Sequence, residues 1–255
     1  MKKDRQLNNE NRCATGQYIS FDAVAKSYLD MMENLSEKVG YSVEYFTEYK
    51  VLDLIKEHKN STLKNKNDIK ILNYGCGIGL SDFYISKNFP NAQIFCCDIS
   101  TKSLEIAQNR GKNLDNVSYA VCDGVKLPFE ENFDIIFIAN VLRHIPKQFQ
   151  TQTLQMLQKS LSDDGFIMIY EFNPYNPVSY YFYRNEDLKY DKYNCRILSA
   201  KKLKELLKNS GFEKFSLKYR FFIPPFLKQF SQIENYLLNC PLGANYYFVA
   251  KKSPR

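Results

Sequence analysis

The chain has 255 residues, of which 44% are hydrophobic and 25% are charged. This length and composition are typical of one globular α/β domain, or at most two small ones. They exclude a disordered chain, a collagen-like fibre and a coiled-coil rod. The net charge of +7 is compatible with an anionic substrate, a nucleic acid or a membrane surface, and it chooses none of them.

The cysteines and the apolar runs indicate the setting of the protein. The seven cysteines are scattered and form no C-x-x-C pair, so we expect neither a disulfide framework nor a metal site. The basic start leads into no apolar signal region, and no stretch approaches the ~18 apolar residues of a membrane span. We therefore expect a cytoplasmic protein.

The first sixty residues predict a helical arm. Residues 1–17 are polar and are expected to form a flexible N-terminus. From Ser20, apolar residues recur at three- and four-residue spacing, which predicts an amphipathic helix. A second helix is predicted from Val43 to His58, with one apolar face that includes Tyr45, Tyr49 and Leu52. Together they define an arm over residues 18–60.

Apolar runs then alternate with helical patterns, which favours a parallel sheet. The five predicted strands are 69–74, 92–97, 116–122, 133–139 and 166–172. A turn at residues 163–165 is expected before the fifth strand. Capping residues predict where three intervening or following helices begin, namely Ser100 or Thr101, Pro146 and Ser199.

The last part of the chain predicts two more strands and two irregular segments. The strands, 212–219 and 245–252, are expected to pair antiparallel. The irregular segments 173–198 and 220–243 carry much of the aromatic excess. Segments beyond the carboxyl ends of strands usually shape a ligand pocket. We therefore expect one domain over residues 18–255, with a core at 69–172 and pocket-forming insertions within 173–243.

A glycine-rich stretch follows the first predicted strand. Gly75, Gly77 and Gly79 lie between that strand and a helix. Glycines permit positive φ and close approach of a ligand, and the helix N-terminus offers N–H groups to an anion. The spacing is G-x-G-x-G, and Leu80 stands where a dinucleotide fingerprint requires glycine. By itself the stretch is also compatible with a turn that holds no ligand.

Two carboxylates end the next two strands. Asp98 ends the second strand, where it can accept both ribose hydroxyls of a nucleoside. Asp123 ends the third, where it can accept from an exocyclic amine of adenine. Each has a simpler explanation, since Asp98 can cap a helix and Asp123 can support a turn before Gly124. Glycines and two carboxylates at three strand ends together predict a nucleoside site.

The segments ILNYGCGIG, CCDIS, CDGVKLPF and FDIIFIANVLRHIP resemble the ordered motifs of class I S-adenosylmethionine-dependent methyltransferases. The resemblance covers about residues 20–172. It implies a Rossmann-like, seven-stranded, mostly parallel sheet with helices on both faces, an antiparallel last strand and an N-terminal helical lid. It implies S-adenosyl-L-methionine as cofactor, bound by Tyr28, Asn73, Gly75, Cys76, Gly77, Gly79, Asp98, Ile99, Asp123, Gly124 and Asn140.

Further segments, YFTEYK, EFNPYNP and CPLGANYYFVAK, are similar to a bacterial subfamily of uncharacterised methyltransferases that often accompany polysaccharide genes. This implies a small-molecule or saccharide acceptor, methylated at oxygen. The chain departs from the family pattern twice. Asn73 replaces a residue that is usually acidic and helps to hold the methionine amine, and Arg143 replaces a frequent carboxylate before His144.

Transfer to an oxygen requires a base, and His144 is the candidate, one turn past the fourth strand. The other histidine, His58, lies in the helical arm. A structural role for His144 is an equal alternative. Glu171 ends the fifth strand and is expected to bind a substrate hydroxyl or to assist as base. Weaker candidates for substrate contact are Asn173, Tyr175 and Tyr180.

Three alternatives remain open. An RNA or protein methyltransferase would be expected to carry a basic stripe or an added binding module, whereas the lysines here are dispersed, so we expect no nucleic-acid partner. A non-catalytic protein that binds the cofactor is favoured by Asn73 and disfavoured by Asp98 and His144. A lipid-linked acceptor would use FFIPPFLKQF as an apolar mouth in peripheral contact with a membrane.

Overall fold

A seven-stranded sheet forms the centre of the computed structural model, which describes residues 10–12, 18–22, 25, 42–177, 198–223 and 225–252. Its strands are β3 (Lys70–Tyr74), β4 (Gln93–Asp98), β5 (Val117–Val121), β6 (Phe133–Ala139), β7 (Leu161–Phe172), β8 (Phe212–Arg220) and β9 (Asn245–Lys252). Two short strands, β1 (Glu10–Arg12) and β2 (Tyr18–Ser20), pair antiparallel in a separate sheet.

The strand order is β5-β4-β3-β6-β7-β9-β8. Strands β3 to β7 are mutually parallel, and β9 runs antiparallel to both of its neighbours. Successive strands are thus added first on one side of β3, as β4 and β5, and then on its other side, beginning with β6. The predicted fold, a mostly parallel sheet with an antiparallel last strand, is confirmed.

Strand β7 begins at Leu161, five residues before its predicted start. Leu161 pairs with Phe133, and the pairing resumes between Phe166 and Ile135. Residues 162–165 lie opposite a single residue of β6, so they bulge from the ladder. The expected turn is thus contained within the strand, and the pairing of Leu161 could not be read from the apolar run alone.

Helices cover both faces of the sheet. They are α1 (Val43–Lys59), α2 (Asp82–Asn88), α3 (Thr101–Arg110), α4 (Lys147–Lys159) and α5 (Ala200–Asn209). One core cluster packs α1, α2 and α3 against one face of the sheet, and a second packs α4 and α5 against the other face. The capping predictions are confirmed for Ser100 and Ser199, whose hydroxyls accept from Ser103 and Lys202 N–H groups, and Pro146 directly precedes α4.

Helix α1 buries a different face from the predicted one. Val51 and Leu54 are fully packed in the core, whereas Leu52, expected on the buried face, is 49% exposed. With this face of α1 buried, Asp53 lies in the interior, where Arg220 and Tyr170 both donate to its carboxylate. A buried charge is retained only when it is paired and hydrogen-bonded, and this pair fixes α1 against β7 and β8.

The N-terminal predictions are only partly covered by the described residues. Of the flexible N-terminus predicted for residues 1–17, the structure describes Glu10–Arg12 as a strand. Of the predicted first helix it describes Phe21, Asp22 and Ala25, all in helical conformation. Asp22 Oδ1 accepts from Ser100 Oγ at 2.6 Å and from Lys102 N at 3.1 Å, so this region touches the start of α3.

Candidate active site

The glycine-rich loop is fixed to the end of the neighbouring strand. Gly75, Gly77 and Gly79 all have positive φ, at 72°, 57° and 77°. The N–H groups of Gly75 and Cys76 donate to Cys97 O at 2.8 and 3.0 Å. A Cβ at Gly75 would lie 2.5 Å from a methyl of Val141, whereas a Cβ at Gly77 would meet no atom of the described residues within 4 Å. The loop is therefore closely packed at Gly75 and open at Gly77, which lets a ligand approach its backbone closely.

Asp98 lies directly beside this loop. Its Oδ2 accepts from Gly77 N at 2.8 Å and its Oδ1 from Ser100 N at 2.9 Å. Burial raises the pKa of this carboxyl, and these N–H groups together with that of Ile99 oppose the rise. Each carboxylate oxygen has a second acceptor position. Asp98 is thus oriented by the loop and can still accept from two ligand hydroxyls.

Asp123 and Gly124 follow β5, next to the end of β4. Asp123 is exposed, and its Oδ1 accepts from Val125 N at 2.8 Å and Lys126 N at 2.7 Å. These bonds, that from Lys126 first, hold the pKa of the carboxyl below its usual range. The turn-supporting role is therefore present, and Oδ2 makes no bond among the described residues. Gly124 has φ of 75°, and a Cβ there would meet none of the described residues within 4 Å.

Asn73 lies beneath the glycine-rich loop. Its amide nitrogen donates to Asp82 Oδ1 at 2.7 Å and to Ser81 Oγ at 3.0 Å. Asp82 is buried, and this burial raises the pKa of its carboxyl. A carboxylate at position 73 would face a second buried carboxylate at bonding distance. The departure from the family pattern thus has a local reason, since Asp82 requires a donor there.

Asn140 directly follows β6 and lies in the left-handed region, with φ of 61°. Its N–H donates to Tyr170 O at 2.9 Å. Its side-chain oxygen is buried and has no hydrogen-bond partner among the residues that the structure describes. A buried acceptor without a partner is costly, and positive φ in a non-glycine residue is concentrated at functional positions. Asn140 is therefore a candidate for binding a ligand donor.

His144 lies in a 3-10 turn, Leu142–His144, that follows Asn140 and Val141. Arg143 Nε lies 3.1 Å from His144 Nε2, and the ring of Phe21 packs edge-on against the imidazole with centroids 5.6 Å apart. Burial, then the Arg143 charge, lowers the pKa of His144 well below its usual value. Because arginine can only donate, Nε2 is the acceptor, and the proton of the neutral ring lies on Nδ1.

Glu171 is the residue before the last of β7; it lies next to this turn and is completely buried. Its Oε1 accepts from Arg143 N at 3.4 Å, and its Oε2 has no hydrogen-bond partner among the described residues. Burial raises the pKa of Glu171 from 4.5 to about 7, although the nearby charges of Arg143 and Lys50 lower it. Strongly perturbed carboxyls of this kind concentrate at functional sites.

Lys50 on α1 was not among the residues predicted from the sequence. Burial, reinforced by the charge of Arg143, lowers the pKa of its ammonium from 10.5 to about 8, and Glu171 opposes this. Its position follows from how α1 docks, since the Asp53–Arg220 pair lies one turn further along that helix. The spacing of apolar residues along α1 gives no signal for it.

The remaining predicted residues are dispersed. Asn173 donates from its amide to Pro241 O and Gly243 O, both at 2.8 Å, and so ties β7 to the segment before β9. Tyr175 is 68% exposed. Tyr28 and Tyr180 lie outside the described residues.

Comparison with known proteins identifies the domain. The profile of the family described as "Methyltransferase domain" matches residues 71–165, which run from β3 into β7 and contain the glycine-rich loop, Asp98, Asp123 and His144. The chain contains a class I, S-adenosylmethionine-dependent methyltransferase domain.

Relatives of this methyltransferase domain differ in what they methylate. The chain is 32% identical over 152 residues to a malonyl-[acyl-carrier protein] O-methyltransferase of Bacillus cereus, covering 60% of this chain and 51% of the relative. It is 26% identical over 132 residues to a tRNA N(3)-cytidine methyltransferase of Bos taurus, covering 49% and 35%. The chain thus spans about half, or less, of the length of these curated relatives.

Solved methyltransferase structures share the fold. A phosphoethanolamine N-methyltransferase 2 of Haemonchus contortus, solved with phosphomonomethylethanolamine and S-adenosylhomocysteine, matches with a TM-score of 0.61 at 21% identity. The match covers 94% of this chain and 62% of that one.

The methyltransferase site fits its cofactor. Three features of the described residues match a nucleoside with an amino-acid tail: the space that they leave open at Gly77 and Gly124, the remaining acceptor positions of Asp98, and the Asn140 oxygen that none of them bonds. In the described part of the chain, no three or more His, Cys, Asp or Glu side chains are grouped to hold a metal. None of the helices described there has the length and apolar character to cross a membrane.

Proposed function

We propose that the chain is a methyltransferase that acts on an oxygen of a small-molecule or glycan-like acceptor in the cytoplasm. One observation carries the cofactor-binding part of this proposal. Gly77 N in the glycine-rich loop donates to Asp98 Oδ2, the carboxylate that ends the next strand, at 2.8 Å, and no described residue fills the position of a Cβ at Gly77. Such a pre-formed pairing orients an acidic side chain for ribose hydroxyls without further rearrangement.

The cofactor would be held along the carboxyl ends of β3 to β6. Asp98 would accept from the ribose hydroxyls, with Ile99 and Gly124 lining the open space beside it. Asp123 Oδ2 would accept from the adenine amine. Gly75, Cys76, Gly77 and Gly79 provide the backbone approach, and the Asn140 side-chain oxygen would accept from the amino group of the methionine part. Asn73 supports the loop from below through Asp82. When bound, the cofactor supplies an electrophilic methyl group on a sulfonium.

The proton of the acceptor hydroxyl has two candidate destinations. His144 Nε2 already accepts from Arg143, and its lowered pKa makes it a weak base in this arrangement. Glu171 Oε2 has no such bond to any residue that the structure describes, and a pKa of about 7 suits proton transfer near neutral pH. We therefore assign the proton to Glu171 and give His144 the role of positioning Arg143 and the turn. The acceptor oxygen gains the methyl group as its O–H bond breaks, and S-adenosylhomocysteine is released.

An RNA acceptor is the second candidate, because one of the relatives is named as a tRNA methyltransferase. A carboxylate acceptor is consistent with the relative that is named as an O-methyltransferase of a malonyl group. Positive charge on the chain does not distinguish them, since phosphates and carboxylates are both anions.

The test is methyl transfer from labelled S-adenosylmethionine to four sets of acceptors: nucleotide sugars and glycans, acyl thioesters of dicarboxylic acids, lipid-linked saccharides, and tRNA. We expect label in a small acceptor. Glu171→Gln should lose about 10²- to 10⁴-fold in kcat, and His144→Gln should lose less. Label in tRNA alone would overturn the acceptor class, and an unchanged kcat in Glu171→Gln would overturn the assignment of the base.

A further inference from the structure

The turn that follows β6 links the glycine-rich loop to the proposed base. Val141 packs against Gly75 so closely that a Cβ on that glycine would lie 2.5 Å from one of its methyl groups. Two residues further along the chain, Arg143 N donates to Glu171 Oε1 at 3.4 Å. The position of this turn therefore determines how the Arg143 N–H group meets the Glu171 carboxylate.

The turn is short, and a side chain from outside it supports it. It consists of the 3-10 segment Leu142–His144, closed by Ile145 N, which donates to Leu142 O at 3.1 Å. Hydrogen bonds of this type have poorer geometry than those of an α-helix. Gln150 Nε2 donates to Leu142 O at 2.9 Å and to Ile145 O at 3.1 Å. Both N–H groups of one amide thus join the carbonyls at the start and the end of the turn.

Gln150 is set apart by its burial, since its side chain is only 4% exposed. Side chains in a helix lean towards the helix N-terminus, so Gln150, near the start of α4, reaches the turn that precedes this helix. A buried amide is costly unless it is hydrogen-bonded, and the two donor positions of this one are both used on the turn. Other glutamines of α4 are exposed, namely Gln148, Gln152 and Gln155.

We propose that Gln150 is a positioning residue of the methyl-transfer reaction, which holds the turn over residues 142–145 so that Arg143 N bonds and orients the Glu171 carboxylate. The inference rests on the proposed function, in which Glu171 takes the proton of the acceptor. Gln150 acts through the turn, because its two bonds end on backbone carbonyls. A reacting side chain keeps its productive orientation only when such supporting hydrogen bonds hold it.

The hydrogen bond from Arg143 N favours the ionised form of Glu171. Burial raises the pKa of Glu171 to about 7, and the charge of Arg143 and the N–H groups of Arg143 and Leu142 oppose the rise. The charge of Lys50 also opposes it, and Tyr246 lies opposite Glu171 on β9. Because a hydrogen bond to a carboxylate lowers its pKa, releasing the turn should raise the pKa of Glu171 further.

The test is an NMR titration of Glu171 between pH 5 and pH 8.5. The side-chain carboxyl carbons of glutamate are isotope-labelled, and the Glu171 signal is assigned by its absence from Glu171→Gln. Gln150→Met keeps the length of the side chain without its donors, and Gln150→Asn keeps the donors on a shorter side chain. Gln155→Met is the matched control, because Gln155 is exposed on the same helix. Circular dichroism checks the folding and the Tm of each variant.

We expect the pKa of Glu171 to rise by about one pH unit in Gln150→Met, to rise less in Gln150→Asn, and to keep its wild-type value in Gln155→Met. A lower Tm in the Gln150 variants with an unmoved Glu171 titration would show a structural role alone and overturn the inference. If Gln150→Met does not fold, Gln150→Asn decides by the same criterion. A wild-type Glu171 that is ionised throughout this range would instead defeat the proposed base, and the inference with it.

Turnover gives a second measurement with the acceptor that the screen identifies. Gln150→Met should lower kcat about tenfold and change the KM for S-adenosylmethionine by less than about threefold, because it alters the orientation of the base and leaves the glycine-rich loop in place. A change in KM with an unaltered kcat would overturn the role of Gln150 in positioning the base.

Discussion

The raised pKa of Glu171 leads us to expect that the protein loses stability as the pH rises towards neutrality. Its carboxyl is completely buried, and its pKa rises from 4.5 in an exposed setting to about 7 in the folded protein. The folded state therefore holds this proton more tightly than the unfolded state. Stability from this group is fully present below pH 4.5 and is lost as the pH rises towards 7.

The size of the loss follows from the shift. At about 1.4 kcal/mol for each pH unit, a rise from 4.5 to about 7 corresponds to about 3 kcal/mol. Glu171→Gln removes the ionisation and keeps the shape of the side chain. We expect Glu171→Gln and the wild type to unfold at similar temperatures at pH 5. At pH 8.5 the variant should be more stable by about 3 kcal/mol, or roughly 6–12 °C in Tm for a chain of this size.

Thermal unfolding followed by circular dichroism between pH 5 and pH 8.5 measures this difference. Glu105→Gln is the control, because Glu105 is exposed on α3, and its Tm should follow the wild type at every pH. Parallel curves for Glu171→Gln and the wild type would refute the reasoning, since they would mean that Glu171 is ionised at no cost in the folded protein.

Three further predictions concern the interior and the loop. Asp53→Ala leaves Arg220 buried without its partner and should lower the free energy of unfolding in urea by about 3–5 kcal/mol; Asp53→Leu with Arg220→Met should recover most of it, and a loss below about 1 kcal/mol in the single variant would contradict the role of the pair. Asn73→Asp places two carboxylates together and should cost about 2–3 kcal/mol, with recovery when Asp82→Asn is added; additive losses would show that the two side chains do not interact. Gly77→Ala adds a methyl group to the open position at Gly77. Calorimetry should show a roughly tenfold or greater loss of S-adenosylmethionine affinity, while the Tm changes by only a few degrees. Unaltered affinity would mean that this space is not the cofactor site.

The sequence predicted those parts that depend on local pattern. Buried parallel strands appear as continuous apolar runs, so β6 was placed to the residue, and the glycines with Asp98 and Asp123 indicated one edge of the sheet. The start of β7 was wrong because the pairing of Leu161 precedes a bulge that resembles a turn.

Other features depend on tertiary contacts that no local pattern contains. Asp53 and Arg220 are far apart in sequence, and their pairing helps to decide which face of α1 is buried. The apolar spacing alone predicts Leu52 on the buried face, although it is half exposed. The hydrogen bond from Asn73 to Asp82 joins a strand to a helix across the glycine-rich loop. It explains why asparagine stands where the family usually has an acidic residue, which the sequence alone shows only as the loss of a negative charge.

The most direct test of the methyltransferase assignment is calorimetric titration of the protein with S-adenosylmethionine. We expect one molecule to bind per chain, with Asp98→Ala weakening the affinity roughly 10- to 100-fold because a charged acceptor of the ribose hydroxyls is lost. Absence of binding to the wild type would contradict the assignment, and equal affinity in Asp98→Ala would contradict the site described.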